Sequence, residues 1–457
     1  MSAAHPIGAR PAARLTRRTL LGAGLAASTA ALTGCAEPAS WADTLGDPPA
    51  SGSPITPSPA PAGTVSPAPA AATTRPPAPY AKQVTDKLKY YLKPTPDNPR
   101  HPGYAGAVAL VTVDGETTVH TAVGHALRYA AGPRELPASR RVAMRPDSIF
   151  DLASLTKIYT SLLVLMLVDQ GKVELGAPVV EYLPGFTGTG KRNVTVQMLL
   201  THTSGLPVGV DVRGLPNLAA KRRKILATPL LNGVVPGAAF RYSSTGMLVL
   251  EQLVTKLTGK AFDVAVRDGI TTPLGLTYTG FKPLDRLSSK DKARLVATDA
   301  RSSRGLLRGV VHDDLCNNLG RVAGSAGLFG TAAEVAAIGQ LLLDKGSYRG
   351  KRILSERVVA TMLTNHNEGK PAYDPARPGR PSAHGLGVVL GQPWFMGKLS
   401  GPATFGHTGF TGTSLLVEPR RRLVLVLLTN RAHPNWSWSD PDTHRRAVAD
   451  IVAAAVR

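Results

Sequence analysis

Residues 151–167 read DLASLTKIYTSLLVLML, an apolar, helix-like run that begins with a serine and carries a lysine three residues later. At that spacing Ser154 and Lys157 share one face of a helix. A serine hydroxyl is a weak nucleophile and needs a base beside it. A lysine one turn away can reach the hydroxyl, and it serves as base only when its amine is neutral. A serine in the first helical turn also faces the positive end of the dipole, which favours developing negative charge. Taken alone, the tetrapeptide better suits a capping serine followed by a surface lysine, because S-x-x-K occurs by chance in many proteins.

The rest of the chain narrows the choice. It has 457 residues, with 53 Lys plus Arg against 31 Asp plus Glu, for a formal net charge of +22. That length allows one large domain or two to three ordinary ones. The basic balance suits anionic surroundings, and the simplest account of it is a solvated, arginine-rich surface. Basic residues are scattered and aromatics amount to 5%, so no stretch reads as a nucleic-acid module.

The N-terminus carries its own message. In ARPAARLTRRTLLGAGLAASTAALTGC, Arg10, Arg14, Arg17 and Arg18 precede a short run of apolar and small residues, Leu20 to Leu32. That run is too short for a stable membrane span. Arg17-Arg18 ahead of it is the twin-arginine export pattern. Leu32-Thr33-Gly34-Cys35 resembles the lipobox of bacterial lipoproteins, which implies cleavage before Cys35 and a lipid on its sulfur. The expected organisation is a signal peptide over residues 1–34 and a lipid-anchored, Pro/Ala-rich linker over 35–79. A folded domain over 80–457 completes it. The linker, with PITPSPAPAGTVSPAPAAATTRPPAP, has no apolar periodicity and buries too little to order itself. The expected location is the outer side of the cell membrane, facing the wall or the exterior. Cys316 is then an unpaired, packed residue.

Within 80–457, YAKQVTDKLKYYLK reads as an amphipathic helix and residues 104–113 as a strand. Asp114-Gly115 is a hairpin signal, and TTVHTAVG the return strand. The helix from Ser154 runs to about Gln170 and ends at Gly171. Further helices are expected at Val194–His202, Leu215–Ala227, Thr245–Thr258, Phe262–Asp268, Ala332–Lys345, Ser355–Leu363 and 441–456. Strands are expected at Leu386–Leu390, Thr413–Glu418 and Leu423–Thr429, the last two joined as a hairpin by Pro419 to Arg422. LVLVLL is apolar on both faces, as a central strand should be. Strands at both ends and helices between imply an α/β (α+β) fold. One antiparallel sheet is built from both chain ends and flanked by helices, with a helical insertion beside it and a cleft between.

Two further elements join Ser154 and Lys157. Tyr242-Ser243-Ser244, in FRYSSTGM, precedes a helix, and His407-Thr408-Gly409, in FGHTGFTG, leads into a strand. In order and context the three resemble S-x-x-K, Y-x-N and [K/H]-T-G of the serine penicillin-recognising enzymes. They are nearest to the class C β-lactamase-like group, with its D-Ala-D-Ala carboxypeptidases, D-aminopeptidases and esterases. MRPDSIFDLASLTK, VTVQMLLTHTSGLP, PLGLTYT and AGSAGLFGTAAEVAAIGQLL add to the likeness, which runs from about Val108 to Arg457. The resemblance implies that Ser154 is acylated, Lys157 takes its proton, and Tyr242 acts as base or relay. His407 and Thr408 would line the cleft, His407 positioning an anionic group. Gly409 would let the strand approach closely. The backbone N–H groups of Ser154 and Phe410 would form the oxyanion hole. No metal or organic cofactor is implied.

One position departs from the pattern. Ser244 stands where the family has an asparagine that grips a peptide or β-lactam amide, and a hydroxyl is shorter with a single donor. This favours an esterase over a β-lactamase or peptidase. The expected function is an exported serine hydrolase of the esterase or cell-wall D-peptidase type, acting on a small or peptidoglycan-derived substrate. A β-lactamase and an inactive wall-binding scaffold are its alternatives. Elsewhere, His202 reads as a turn residue and His312-Asp313-Asp314 as a polar loop. GFTGTGKR reads as a surface turn, because it lacks the Ser or Thr of a phosphate loop. Trp436 and Trp438 could line a cleft or simply pack.

Overall fold

A computed structural model describes residues 78–375 and 377–456. The expected signal peptide, the linker to residue 77 and Cys35 lie outside the described residues. Among the described residues no helix is long and apolar enough to cross a membrane.

Seven strands form the main sheet: β1 (Gly106–Val113), β2 (Glu116–Leu127), β3 (Val142–Ala143), β4 (Val389–Leu390), β5 (Phe405–Thr408), β6 (Ser414–Glu418) and β7 (Leu423–Thr429). Their order is β4-β5-β6-β7-β1-β2-β3, and every neighbouring pair is antiparallel. The two ends of the domain therefore meet at the sheet's centre, where β1 pairs β7 from Ala107 opposite Thr429 to Val113 opposite Leu423. The β1–β2 hairpin turns through Asp114 at φ 52° and Gly115 at φ 80°, the left-handed pair of a tight two-residue turn. At the β6–β7 corner the Glu418 carboxylate accepts the backbone N–H groups of Arg420 and Arg421.

Period-2 alternation splits the apolar residues of β7 between two cores. Val424, Val426 and Leu428 face one side, while Leu423, Leu425 and Leu427 face the other. The second face is covered by α1 (Ala81–Tyr90), through Val84 and Leu88, and by the C-terminal helix, through Val448, Ala449 and Val452. The first face carries α2 (Thr156–Asp169), then the helical insertion, whose main element is α3 (Ser244–Thr258), and α4 (Ala332–Leu343). The C-terminal helix is α5 (Pro441–Ala455). Every residue of α2 from Thr156 to Leu165 is buried, which is why its sequence is apolar all round.

The expected architecture holds, and its departures are local. The strand expected at Leu386–Leu390 is paired only at Val389–Leu390. Before it, Gly387 presses so closely on Ser161 of α2 that no side chain would fit. Helix Val194–His202 contracts to Val196–Leu200, capped by the Thr195 hydroxyl. The helix expected to reach Asp268 passes after Val266 into a π-turn over Arg267–Thr271. GFTGTGKR is only partly the expected surface turn, because Lys191 is buried. Its Nζ donates to the Leu226 carbonyl and lies 4.3 Å from the centre of the Phe186 ring, and burial draws its amine down to about 8. Cys316 is free and buried, with its thiol 3.3 Å from the Ala326 carbonyl.

Candidate active site

The chain enters the site from a short ladder pairing Phe150–Asp151 with Phe329–Gly330. Ala153 then takes a left-handed φ of 48°, and a 3-10 turn over Ala153–Leu155 leads into α2. Ser154 thus sits in the tight turn before the helix rather than in the helix itself. A non-glycine residue in this conformation persists only if its surroundings over-determine it. Here the buried Asp151 carboxylate does so, accepting the N–H of Ala153 at 2.9 Å and that of His312 at 2.7 Å. Burial pushes the Asp151 carboxyl above its usual range, and the two amide bonds oppose that shift. From the facing loop, the Thr411 hydroxyl donates to the Asp151 carbonyl at 2.8 Å and the Thr413 hydroxyl to the Leu152 carbonyl at 3.0 Å.

Lys157, one turn further, is buried, and its Nζ donates to Ser154 Oγ at 3.0 Å and to the Ser325 carbonyl at 2.8 Å. The Tyr242 hydroxyl donates to the same Ser154 oxygen at 3.0 Å, and Lys157 Nζ lies 5.1 Å from the centre of the Tyr242 ring. Tyr242 is placed by the start of α3. Ser243 caps that helix, its hydroxyl accepting the Gly246 N–H at 3.0 Å and donating to the Pro207 carbonyl at 2.7 Å. His202 is a turn residue, at φ 56°, and it also supports the tyrosine. Its Nδ1 accepts the Ser243 N–H at 3.3 Å and its ring lies 4.7 Å from the Tyr242 ring. Ser244 opens α3 with its amide on the Val208 carbonyl at 2.9 Å, and its hydroxyl makes no hydrogen bond among the described residues.

His407 and Thr408 end β5 beside these groups, the His407 ring 6.4 Å from that of Tyr242. Nδ1 of His407 faces the Thr408 carbonyl at 2.9 Å, which assigns the ring proton to Nδ1. Burial first, then the charge of Lys157 and the neighbouring His384, hold this imidazole well below its ordinary range. His407 therefore meets a substrate as a neutral ring and brings no positive charge to an anionic group. At Gly409 a side chain would run into the Thr413 hydroxyl and lie 2.6 Å from the Leu152 carbonyl, so glycine is required for the loop to close on the serine turn. Phe410, 46% exposed, rests its ring 5.3 Å from His312 and 5.7 Å from Trp436. Trp438 stacks on His101 at 4.1 Å.

The sequence reading brings Ser154, Lys157, Tyr242, His407, Thr408, Gly409 and Phe410 to one place. It misses three residues that hold them there: Asp151, Arg431 and Arg445. The Arg431 Nε donates to the Phe410 carbonyl at 2.9 Å, and the buried Arg445 reaches the Gly409 carbonyl at 2.8 Å. Asp151 lies within the motif's flank and could have been found there. The two arginines lie near the C-terminus and carry no local signal. The expected polar loop at His312 is structural: His312 Nε2 lies 3.2 Å from Asp299 Oδ2, and Asp313 caps a helical turn by accepting the Cys316 N–H. Among the described residues no three His, Cys, Asp or Glu side chains group as a metal site requires.

The Ser154 hydroxyl is thus held at 3.0 Å from both an amine and a phenol, beside a glycine-closed loop. The beta-lactamase family model matches residues 88–450, and the chain belongs to that family. It is 32% identical over 360 residues to the N-acetylmuramyl-L-alanine amidase of Bacillus subtilis (strain 168), covering 72% of this chain and 78% of that one. It is 28% identical over 367 residues to a proposed D-alanyl-D-alanine carboxypeptidase of Escherichia coli (strain K12), covering 72% and 79%. The fold is shared with a penicillin-binding protein homologue from Caulobacter crescentus, at a TM-score of 0.62, 20% identity and coverage of 84% and 99%.

Proposed function

We propose that this chain is a serine hydrolase that opens an amide or ester carbonyl through an acyl-enzyme on Ser154. The observation that carries the reading is the position of Ser154 Oγ, 3.0 Å from Lys157 Nζ and 3.0 Å from Tyr242 Oη. As Oγ bonds to the carbonyl carbon, its proton passes to the Lys157–Tyr242 pair that contacts it. The carbonyl oxygen takes up the displaced electron pair and is held by the backbone N–H groups of Ser154 and Phe410. Collapse restores the carbonyl and expels the leaving group, which departs with that proton. Water then cleaves the acyl-enzyme by the same steps in reverse.

Kinship with the Bacillus subtilis amidase supports a peptidoglycan-derived substrate. Ser244, in place of an asparagine, and a neutral His407 both favour a carbonyl compound that needs neither an amide grip nor a cation. We propose too that the protein is exported through the Arg17-Arg18 signal and tethered by lipid at Cys35, with residues 36–79 as spacer. A panel of a muramyl-L-alanine peptide, a D-Ala-D-Ala peptide, a short p-nitrophenyl ester and a chromogenic cephalosporin tests the reading. Turnover of either of the first two, or of the ester, with the cephalosporin slowest, supports it. Fastest turnover of the cephalosporin would make the chain a β-lactamase, and no turnover of any would favour the wall-binding scaffold.

A further inference from the structure

We propose that Arg445 is a positioning residue that sets the direction of the Phe410 backbone N–H, one of the two oxyanion donors; this rests on the reading of Ser154 as the acylated nucleophile. Arg445 lies on α5, on the sheet face opposite to α2, and is buried. One terminal nitrogen, Nη2, donates to both the Gly409 and Thr413 carbonyls at 2.8 Å. The other, Nη1, donates to the Asp442 carboxylate at 2.8 Å, and Asp442 is held in turn by Arg377 at 3.0 Å. The Gly409 N–H also donates to the Thr413 carbonyl, at 2.7 Å. A single guanidinium thus clasps both ends of the loop that covers the serine turn.

The consequence follows from peptide geometry. The Gly409 carbonyl and the Phe410 N–H belong to one planar trans peptide, in which the two groups point in opposite directions. Arg445 draws the carbonyl oxygen toward α5, so the N–H is turned the other way. The serine turn is packed there: Leu152 and Leu155 belong to the core on the α2 face, and the Leu152 carbonyl lies against Gly409. The Phe410 amide itself makes no hydrogen bond among the described residues, so it is free for a substrate oxygen. Arg431 fixes the next peptide by accepting the role of donor to the Phe410 carbonyl, at 2.9 Å. A lysine at 445 would offer a point charge and could not span two carbonyls and a carboxylate with the same planar fork. The Gly409 carbonyl also accepts the Gly412 N–H at 3.1 Å, so loss of the fork leaves the peptide held by that single turn bond, about which it can tilt. The donor then misses the oxygen where charge develops, while ground-state binding is unchanged.

The test uses the full chain, as wild type, Arg445→Lys, Arg445→Met and Asp442→Asn. Acylation rate and substrate dissociation constant are measured by stopped flow with a short p-nitrophenyl ester. Affinity is measured for phenylboronic acid, whose boron accepts the Ser154 Oγ electron pair and becomes a tetrahedral anion with a hydroxyl in the oxyanion position. Expected for Arg445→Met is an acylation rate lower by about 10²–10³, boronate affinity lower in proportion, and a substrate dissociation constant within about twofold of wild type. Arg445→Lys should recover at least about tenfold of that loss. Wild-type acylation and boronate affinity in Arg445→Met would overturn the proposal, as would an equal change in substrate dissociation. If Arg445→Met does not fold, Arg445→Lys and Asp442→Asn decide: slowed acylation with unchanged dissociation supports the proposal, and wild-type rates overturn it. Failure of the wild type to bind boronate at Ser154 would instead remove the hydrolase reading beneath it.

Discussion

The Tyr242 hydroxyl donates to the Ser154 hydroxyl at 3.0 Å across 88 residues of sequence, and Lys157 reaches the same oxygen from one turn away. This contact joins the helical insertion to the sheet-borne half of the site, because Tyr242 is placed by α3 and Ser154 by the turn before α2. Tyr242→Phe keeps the ring that packs on His202 and Lys157 and removes only the oxygen. Acylation should slow by about 10²–10⁴ with thermal stability nearly unchanged. Stopped-flow acylation beside a melting curve checks both halves of that expectation.

Gly409 touches the serine turn where a side chain has no room. Gly409→Ala should cost about 1–3 kcal/mol of stability, because the strain falls on backbone and a hydrogen-bonded threonine rather than on a flexible side chain. It should also depress acylation by moving the 409–413 loop. Urea midpoints report the first effect and ester kinetics the second.

Glu251 gives the fold a pH dependence of known sign. It is buried on α3, accepts the Gly324 N–H at 3.0 Å, and burial pushes its carboxyl up to about 7 from an ordinary 4.5. The folded state therefore keeps a proton that the unfolded chain releases at lower pH. The stability this contributes is present below pH 4.5 and lost as pH rises toward 7, by about 3 kcal/mol in all. Buried imidazoles such as His384 and His444, both held down to about 3, act in the opposite direction, so the effect is read as a difference. The stability of Glu251→Gln relative to wild type should improve steadily from pH 4.5 to 7. A flat difference across that window would count against a protonated Glu251.

Ser244 is where substrate preference should be adjustable. Ser244→Asn restores an amide carrying both a donor group and an acceptor at the start of α3, close to Tyr242. The ratio of penicillin acylation to ester acylation should rise by about 10-fold or more. An unchanged ratio would mean that position 244 does not contact the substrate.

Much of this was legible in the sequence because it is local or periodic. The S-x-x-K pair is helical spacing, LVLVLL announces a strand buried on both faces, and Asp114-Gly115 sets a two-residue hairpin with both residues left-handed. Gly409 was readable as a close approach. What stayed hidden depends on distant partners. Arg445 and Arg431 look like ordinary basic residues until the fold lays their guanidinium groups against the carbonyls of 409, 410 and 413. Lys191 reads as a solvated lysine in a glycine-rich turn, and only the fold gives it Phe186 and the Leu226 carbonyl. The neutrality of His407 is likewise tertiary, since burial beside Lys157 and His384 discharges it. Leu386–Val388 is apolar enough to read as strand, but Gly387 pressed against Ser161 of α2 accompanies a stretch outside the ladder, which begins at Val389.

The central claim is that Ser154 is the nucleophile, and the most direct measurement is intact mass of the protein after exposure to a fluorophosphonate, beside Ser154→Ala. A single adduct on the wild type, localised to Ser154 by peptide mapping and missing from the folded variant, is the expected result. An unmodified wild type, or an equal adduct on Ser154→Ala, would contradict the account.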